Sequence, residues 1–204
     1  DEHVPAIVNA WYPGESGGKA VAEVLFGDYN PGGRLPLTYY KSLDELPPFD
    51  DYDITKGRTY KYFKGEVLYP FGYGLSYTSF KYSNLQVEDG EDEINVSFQL
   101  KNTGKCAGDE VAQVYVKLPE RNEVMPVKEL KGFERVSLKG GESKKVTVKL
   151  RKDLLRYWDE EQGRFVYPSG DYMIMLGASS ADIRLQKIVP VLQKDNYLMP
   201  HPEK

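Results

Sequence analysis

The most regular hydrophobic pattern in the chain lies in its second half, where apolar and polar residues alternate with a period of two. Ile94, Val96, Phe98 and Leu100 are separated by Asn95, Ser97 and Gln99; Val114, Val116 and Leu118 by Tyr115 and Lys117; Val146, Val148 and Leu150 by Thr147 and Lys149. Successive side chains of a strand point to opposite faces, so each run predicts a strand with one buried and one wet face. Further strands are expected near residues 80–87, 130–138, 164–167, 172–177 and 183–189, and a helical turn over 153–159. Turn signals separate them at Glu88-Asp89-Gly90, Asn102-Thr103-Gly104, Lys139-Gly140-Gly141 and Pro168-Ser169-Gly170. Seven or so short strands in about a hundred residues are the pattern of a fibronectin type III-like, or immunoglobulin-like, β-sandwich. The fold class expected is therefore mainly β, with that sandwich over 78–191 and a tail over 192–204.

The pattern before the sandwich is different. Val4 to Trp11 is a mostly apolar run of the kind found in a buried parallel strand, and a turn follows at Pro13-Gly14. From Gly17 to Phe26, Val21, Val24 and Leu25 recur at helical spacing, with Ser16 as the expected cap and Gly27 as the stop. Such a strand-turn-helix unit cannot bury both faces by itself, so residues 1–40 read as a partial α/β segment. Residues 41–77 read as a long irregular linker rich in Pro, Gly and Tyr, with an acidic loop at Asp50-Asp51-x-Asp53. It ends in Leu68-Tyr69-Pro70-Phe71-Gly72-Tyr73-Gly74-Leu75-Ser76-Tyr77, a hinge whose two glycines favour a tight turn. A dinucleotide loop would need a third glycine and a following helix.

Composition narrows the function. The net charge of −4, from 27 basic and 31 acidic residues, gives no electrostatic case for nucleic acid or an anionic membrane as partner, and no apolar run is long enough to cross a bilayer. The 16 tyrosines suit either domain interfaces or sugar-binding surfaces. The single cysteine, Cys106, excludes a disulfide within the chain, and His3 and His201 near the termini offer little for histidine chemistry or a metal. No cofactor is expected.

Motifs that could carry chemistry weaken on inspection. Gly14-Glu15-Ser16-Gly17-Gly18 fits the Gly-x-Ser-x-Gly nucleophile elbow, but Tyr12-Pro13 intervenes after the strand and only His201 follows downstream. The same residues with Lys19 fail as a phosphate loop, because Pro13 and Ala20 stand where glycine and Ser/Thr are required. Glycoside hydrolysis needs two carboxyl groups across a sugar, and nothing marks such a pair. The residues alone yield no catalytic group; an alternative of another class is that residues 78–190 form a module that binds carbohydrate or protein through exposed strand aromatics such as Tyr115, Tyr157 and Trp158.

Taken together, Ala10-Trp11-Tyr12-Pro13-Gly14-Glu15, Val24-Leu25-Phe26-Gly27-Asp28-x-Asn30-Pro31-x-Gly33-Arg34-Leu35-Pro36, the hinge from Tyr69 to Tyr77, and Lys128-Glu129-Leu130-Lys131-Gly132-Phe133 resemble the C-terminal part of glycoside hydrolase family 3, the β-glucosidases and β-xylosidases. The resemblance implies an exo-acting retaining enzyme whose catalytic barrel and both reactive carboxylates lie upstream of Asp1, so that the glycoside substrate is met through the full-length enzyme. It implies no catalytic residue here, no metal, and a periplasmic or secreted setting. Arg58, Tyr60, Tyr62 and Phe63 are then expected to pack between domains or to stand beside the sugar site, and Gly57-Arg58-Thr59-Tyr60 leans towards the β-xylosidase branch.

Overall fold

A computed structural model describes residues 3–119, 124–159 and 163–191. Helix α1 (Gly17–Phe26) is followed by β1 (Tyr39–Tyr40), the one-turn helix α2 (Thr59–Tyr62) and β2 (Val67–Tyr69). Nine strands complete the order: β3 (Phe80–Asp89), β4 (Glu93–Asn102), β5 (Gly108–Lys117), β6 (Glu129–Leu138), β7 (Ser143–Arg151), β8 (Tyr157–Asp159), β9 (Arg164–Val166), β10 (Gly170–Gly177) and β11 (Ile183–Val191).

Seven of these form two antiparallel sheets, β3-β4-β7 and β11-β10-β5-β6, whose inner faces close on one core. The period-two pattern determines which side chains go in. On β4, Ile94, Val96, Phe98 and Leu100 are all buried, and the first three sit opposite Leu150, Val148 and Val146 of β7 as direct cross-strand partners. Outside, Ser97 and Thr147 share a 2.8 Å hydroxyl contact. The second sheet answers with Val114, Val116, Val136, Leu138, Tyr172, Ile174 and Leu176. The fibronectin-like sandwich is thus present as the alternation predicts.

Two irregularities let the sheets fit. In β3 the pairing with β4 shifts between Ser83 and Gln86, and Asn84 takes a left-handed φ of 56°, a conformation Asn tolerates better than most residues. In β6, a side chain at Gly132 would come within 2.7 Å of Leu150 Cδ2 and Val148 Cγ1, so the strand can approach the opposite sheet only because that side chain is missing.

Four local expectations are corrected. Residues 4–11 form no strand and are exposed throughout, since no strand among the described residues offers them a ladder partner. Ser16 precedes α1 without a side-chain capping bond, although Gly27 ends the helix in the left-handed conformation as expected. The helical turn is confined to Lys152–Leu155, because Tyr157, Trp158 and Asp159 pair with β9 instead. Tyr115, expected on the wet face of β5, is fully buried. The tail over 192–204, with His201, lies outside the described residues.

Candidate functional site

Tyr115 is buried because the linker lies over the outer face of β5 and β6. Tyr60 of α2 stacks on Phe71 at 4.3 Å between ring centroids and meets Tyr115 edge-on at 5.9 Å. Its hydroxyl accepts a hydrogen bond from the Leu130 backbone N–H at 3.0 Å, and burial pushes the phenol's pKa up. Beside it, Lys61 Nζ lies 2.7 Å from Glu129 Oε1, and Lys131 is 3.0 Å from the other carboxylate oxygen. Burial alone would raise the Glu129 pKa, but the two lysines outweigh it and the carboxyl is held below its usual range.

Deeper in the same contact, Gln113 joins three segments. Its Nε2 donates to Gly72 O at 3.0 Å and to Ala178 O at 2.6 Å, while its Oε1 accepts from the Tyr115 hydroxyl at 2.6 Å. Gly72 has to be glycine twice over. Its φ is +81°, and a Cβ there would fall 2.0 Å from Gln113 Oε1. Gly74 serves by absence of bulk alone, since a Cβ would sit 2.3 Å from Gly33 O.

The first segment is tied to the same place. Leu35 N–H donates to Tyr73 O and Gly72 N–H to Leu35 O, at 2.8 and 2.7 Å. Asn30 donates to Ala107 O and accepts from Ser76 Oγ and the Tyr77 N–H. The Tyr77 hydroxyl reaches Val24 O near the end of α1 at 2.6 Å. Arg34 and Glu110 form a 3.1 Å ion pair whose side chains are only 9% and 6% exposed. An open cleft of about 510 Å³ adjoins this pair, lined also by Tyr73, Tyr82, Asp182 and Arg184. The linker is therefore a tether, bonded along its length to both neighbours.

Arg58, Tyr60, Tyr62 and Phe63 come together on this tether, with distinct contacts. The Arg58 guanidinium donates to the backbone carbonyls of Asp51, Pro47 and Pro48, which shapes the 47–51 loop. Phe63 packs edge-on against Tyr40 at 4.9 Å, and Tyr62 is half-buried. The acidic loop is internally satisfied: Asp51 pairs with Lys56 at 2.7 Å and Asp53 caps the Thr55 N–H at 3.0 Å. Among the described residues no cluster of His, Cys, Asp or Glu is arranged to hold a metal. Sequence reasoning missed Asn30, Arg34, Glu110 and Gln113. Glu110 and Gln113 sit in a strand and Asn30 and Arg34 in the turn-rich stretch after α1, and in either setting a polar residue looks solvent-facing until something is known to cover it.

Outward from the tether, the apolar surface is left open. Val4, Ile7, Val8, Trp11, Leu25 and Phe26 are all at least half exposed, with Phe26 at 84%. Monomeric surfaces seldom leave so many large apolar side chains on one short segment uncovered.

Residues 1–77 match the glycosyl hydrolase family 3 C-terminal domain, and residues 110–180 the fibronectin type III-like domain. The chain is 46% identical over 193 residues to a xylan 1,4-beta-xylosidase of Xylanibacter ruminicola, a match covering 94% of this chain and 22% of that protein. It is 40% identical to a beta-glucosidase of Kluyveromyces marxianus, over 96% and 25% of the two chains. The solved structure of beta-glucosidase 3B from Thermotoga neapolitana with glucose superimposes with a TM-score of 0.82 at 35% identity, over 90% of this chain and 28% of that one. The chain spans about a quarter of the length of the curated relatives it matches.

Proposed function

Because this chain belongs to glycoside hydrolase family 3, we propose that it is the C-terminal structural portion of an exo-acting, retaining β-glycosidase that releases terminal β-linked glucose or xylose. The residues of the chain supply no catalytic carboxylate on this reading. They brace a catalytic barrel encoded upstream. The division we propose is a remnant of the α/β sandwich over 1–40, the tether over 41–77, the fibronectin-like sandwich over 78–191 and a tail over 192–204.

The observation that carries the reading is the pairing of an uncovered apolar segment, Val4 to Trp11 with Leu25 and Phe26, with a tether bonded to the sandwich behind it. The first is a docking face; the second stops that face from moving independently of the sandwich. In a retaining glycosidase two carboxyl groups about 5 Å apart must keep their spacing through both steps, and a rigid support serves that need. Arg58, Tyr60, Tyr62 and Phe63 stand beside the substrate path on this reading, Arg58 by way of the 47–51 loop that it shapes.

The test is hydrolysis of aryl β-xylosides and aryl β-glucosides. The 204-residue chain is expected to be inactive, and joining it to the coding sequence that precedes it in the genome is expected to give turnover. Turnover by the chain alone would place the site within it and refute the brace.

A further inference from the structure

The β8–β9 hairpin connects the two sheets and carries a half-exposed aromatic pair. Trp158 and Phe165 are direct cross-strand partners, 51% and 61% exposed. Their rings meet edge-to-face at 5.3 Å with planes 78° apart. The alternate residues Asp159 and Val166 are buried, so the hairpin's inner side is anchored while its outer side shows the rings. Arg156 lies over Phe165, 6.0 Å from the ring centroid, and its Nε donates to Asp153 O at 2.9 Å. The rings are held in place from two sides.

We propose that the indole face of Trp158, braced edge-on by Phe165, forms a stacking platform for a pyranose ring of a neutral β-linked glycan. Size argues for a sugar over a protein. A large aromatic side chain buries about 150–250 Å² when fully covered, so the pair offers roughly 200 Å², against about 800 Å² on each side of a standard protein interface. The electron-rich face of an indole suits the weakly positive C–H face of a pyranose. Charge argues against an anionic ligand, since Arg156 is already placed on Phe165 and on a backbone carbonyl. Location keeps the platform clear of the docking face. The Lys152 N–H donates to Asp92 O and its ammonium lies 2.7 Å from Asp89, which fixes the entry to the hairpin beside the β3–β4 turn. The tether enters β3 at its other end, Phe80, and ten strand residues span roughly 30 Å. The platform shares with the proposed function only the glycan class, and stands whether or not the whole enzyme cleaves its ligand.

Affinity electrophoresis of the 204-residue chain through gels containing xylan or mixed-linkage β-glucan tests the proposal. The parent chain is expected to be retarded, and W158A, which changes a half-exposed side chain and should melt as the parent does, to lose the retardation; loss of one stacked ring weakens binding by roughly fivefold to tenfold. W158Y should restore part of it. Because the chain has only two tryptophans, W11F leaves Trp158 as the sole indole reporter, and its emission should shift on adding xylo- or cello-oligosaccharides. Unretarded migration of the parent in every glycan, equal retardation of W158A, or an unmoved emission would overturn the proposal. So would a Trp158-dependent dimer in sedimentation, which would assign the hairpin to a second copy of the chain.

Discussion

Replacing Gln113 with leucine perturbs the tether at the point where three segments meet. Leucine nearly matches the glutamine's volume, so the cost is polar and not one of packing. Two carbonyl groups, Gly72 O and Ala178 O, lose their side-chain donor, and the Tyr115 hydroxyl loses its acceptor. A buried group left unsatisfied costs about 1–3 kcal/mol, and some solvent will reach Ala178, so Q113L should destabilise the sandwich by about 3–5 kcal/mol. Y115F removes only the hydroxyl bond and should cost about 1–2 kcal/mol. The two changes share one bond, so the double variant should fall short of their sum by about 1 kcal/mol. Urea denaturation followed by tryptophan fluorescence, with an unchanged m-value, gives these differences. Limited proteolysis should also cut within residues 41–65 of Q113L before the sandwich opens. A Q113L loss under about 1 kcal/mol, or strict additivity, would refute the idea that this side chain joins tether to sandwich.

Two further outcomes follow from the same geometry. Gly132→Ala places a methyl 2.7 Å from Leu150 and Val148 and should cost about 1–3 kcal/mol by overpacking, read as a lowered thermal midpoint. Glu129, held below its ordinary range in the fold, contributes stability that is present above its unfolded pKa of about 4.3 and is lost as pH falls through the lower folded value. E129Q should therefore flatten the acid limb of a melting-temperature titration between neutral pH and pH about 3, and a limb unchanged from the parent would show that the bridges to Lys61 and Lys131 add nothing.

What could be read from the chain alone was whatever depends on one strand and its own two faces. The buried set of β4 follows from Ile94, Val96, Phe98 and Leu100 without further information, because a sheet with one wet side enforces the period. Tyr115 obeys the same period on β5 and is nonetheless buried, since a segment more than forty residues earlier lies over it. Nothing local to Tyr115 encodes that cover. The same holds for Arg34 and Glu110, which look like ordinary surface charges until the chain brings them together across 76 positions. The glycines were partly legible. Gly72 needs a positive φ, which a turn motif suggests, whereas Gly74 and Gly132 exist for neighbours distant in sequence. The run from Val4 to Trp11 has the composition of a buried strand, and composition cannot supply the adjacent strands that would make it one.

The Arg34–Glu110 pair has a consequence for anyone splicing such proteins. Its members lie on opposite sides of any cut made in the tether, and removing one partner of a buried pair strands the other at a cost of about 3–5 kcal/mol, while replacing both together by apolar residues can be nearly neutral. A chimera that takes its sandwich from another source inherits only half of that pair. The exchangeable cassette must therefore begin before Asn30, well ahead of the first sandwich strand, or the recipient must be altered at both positions at once.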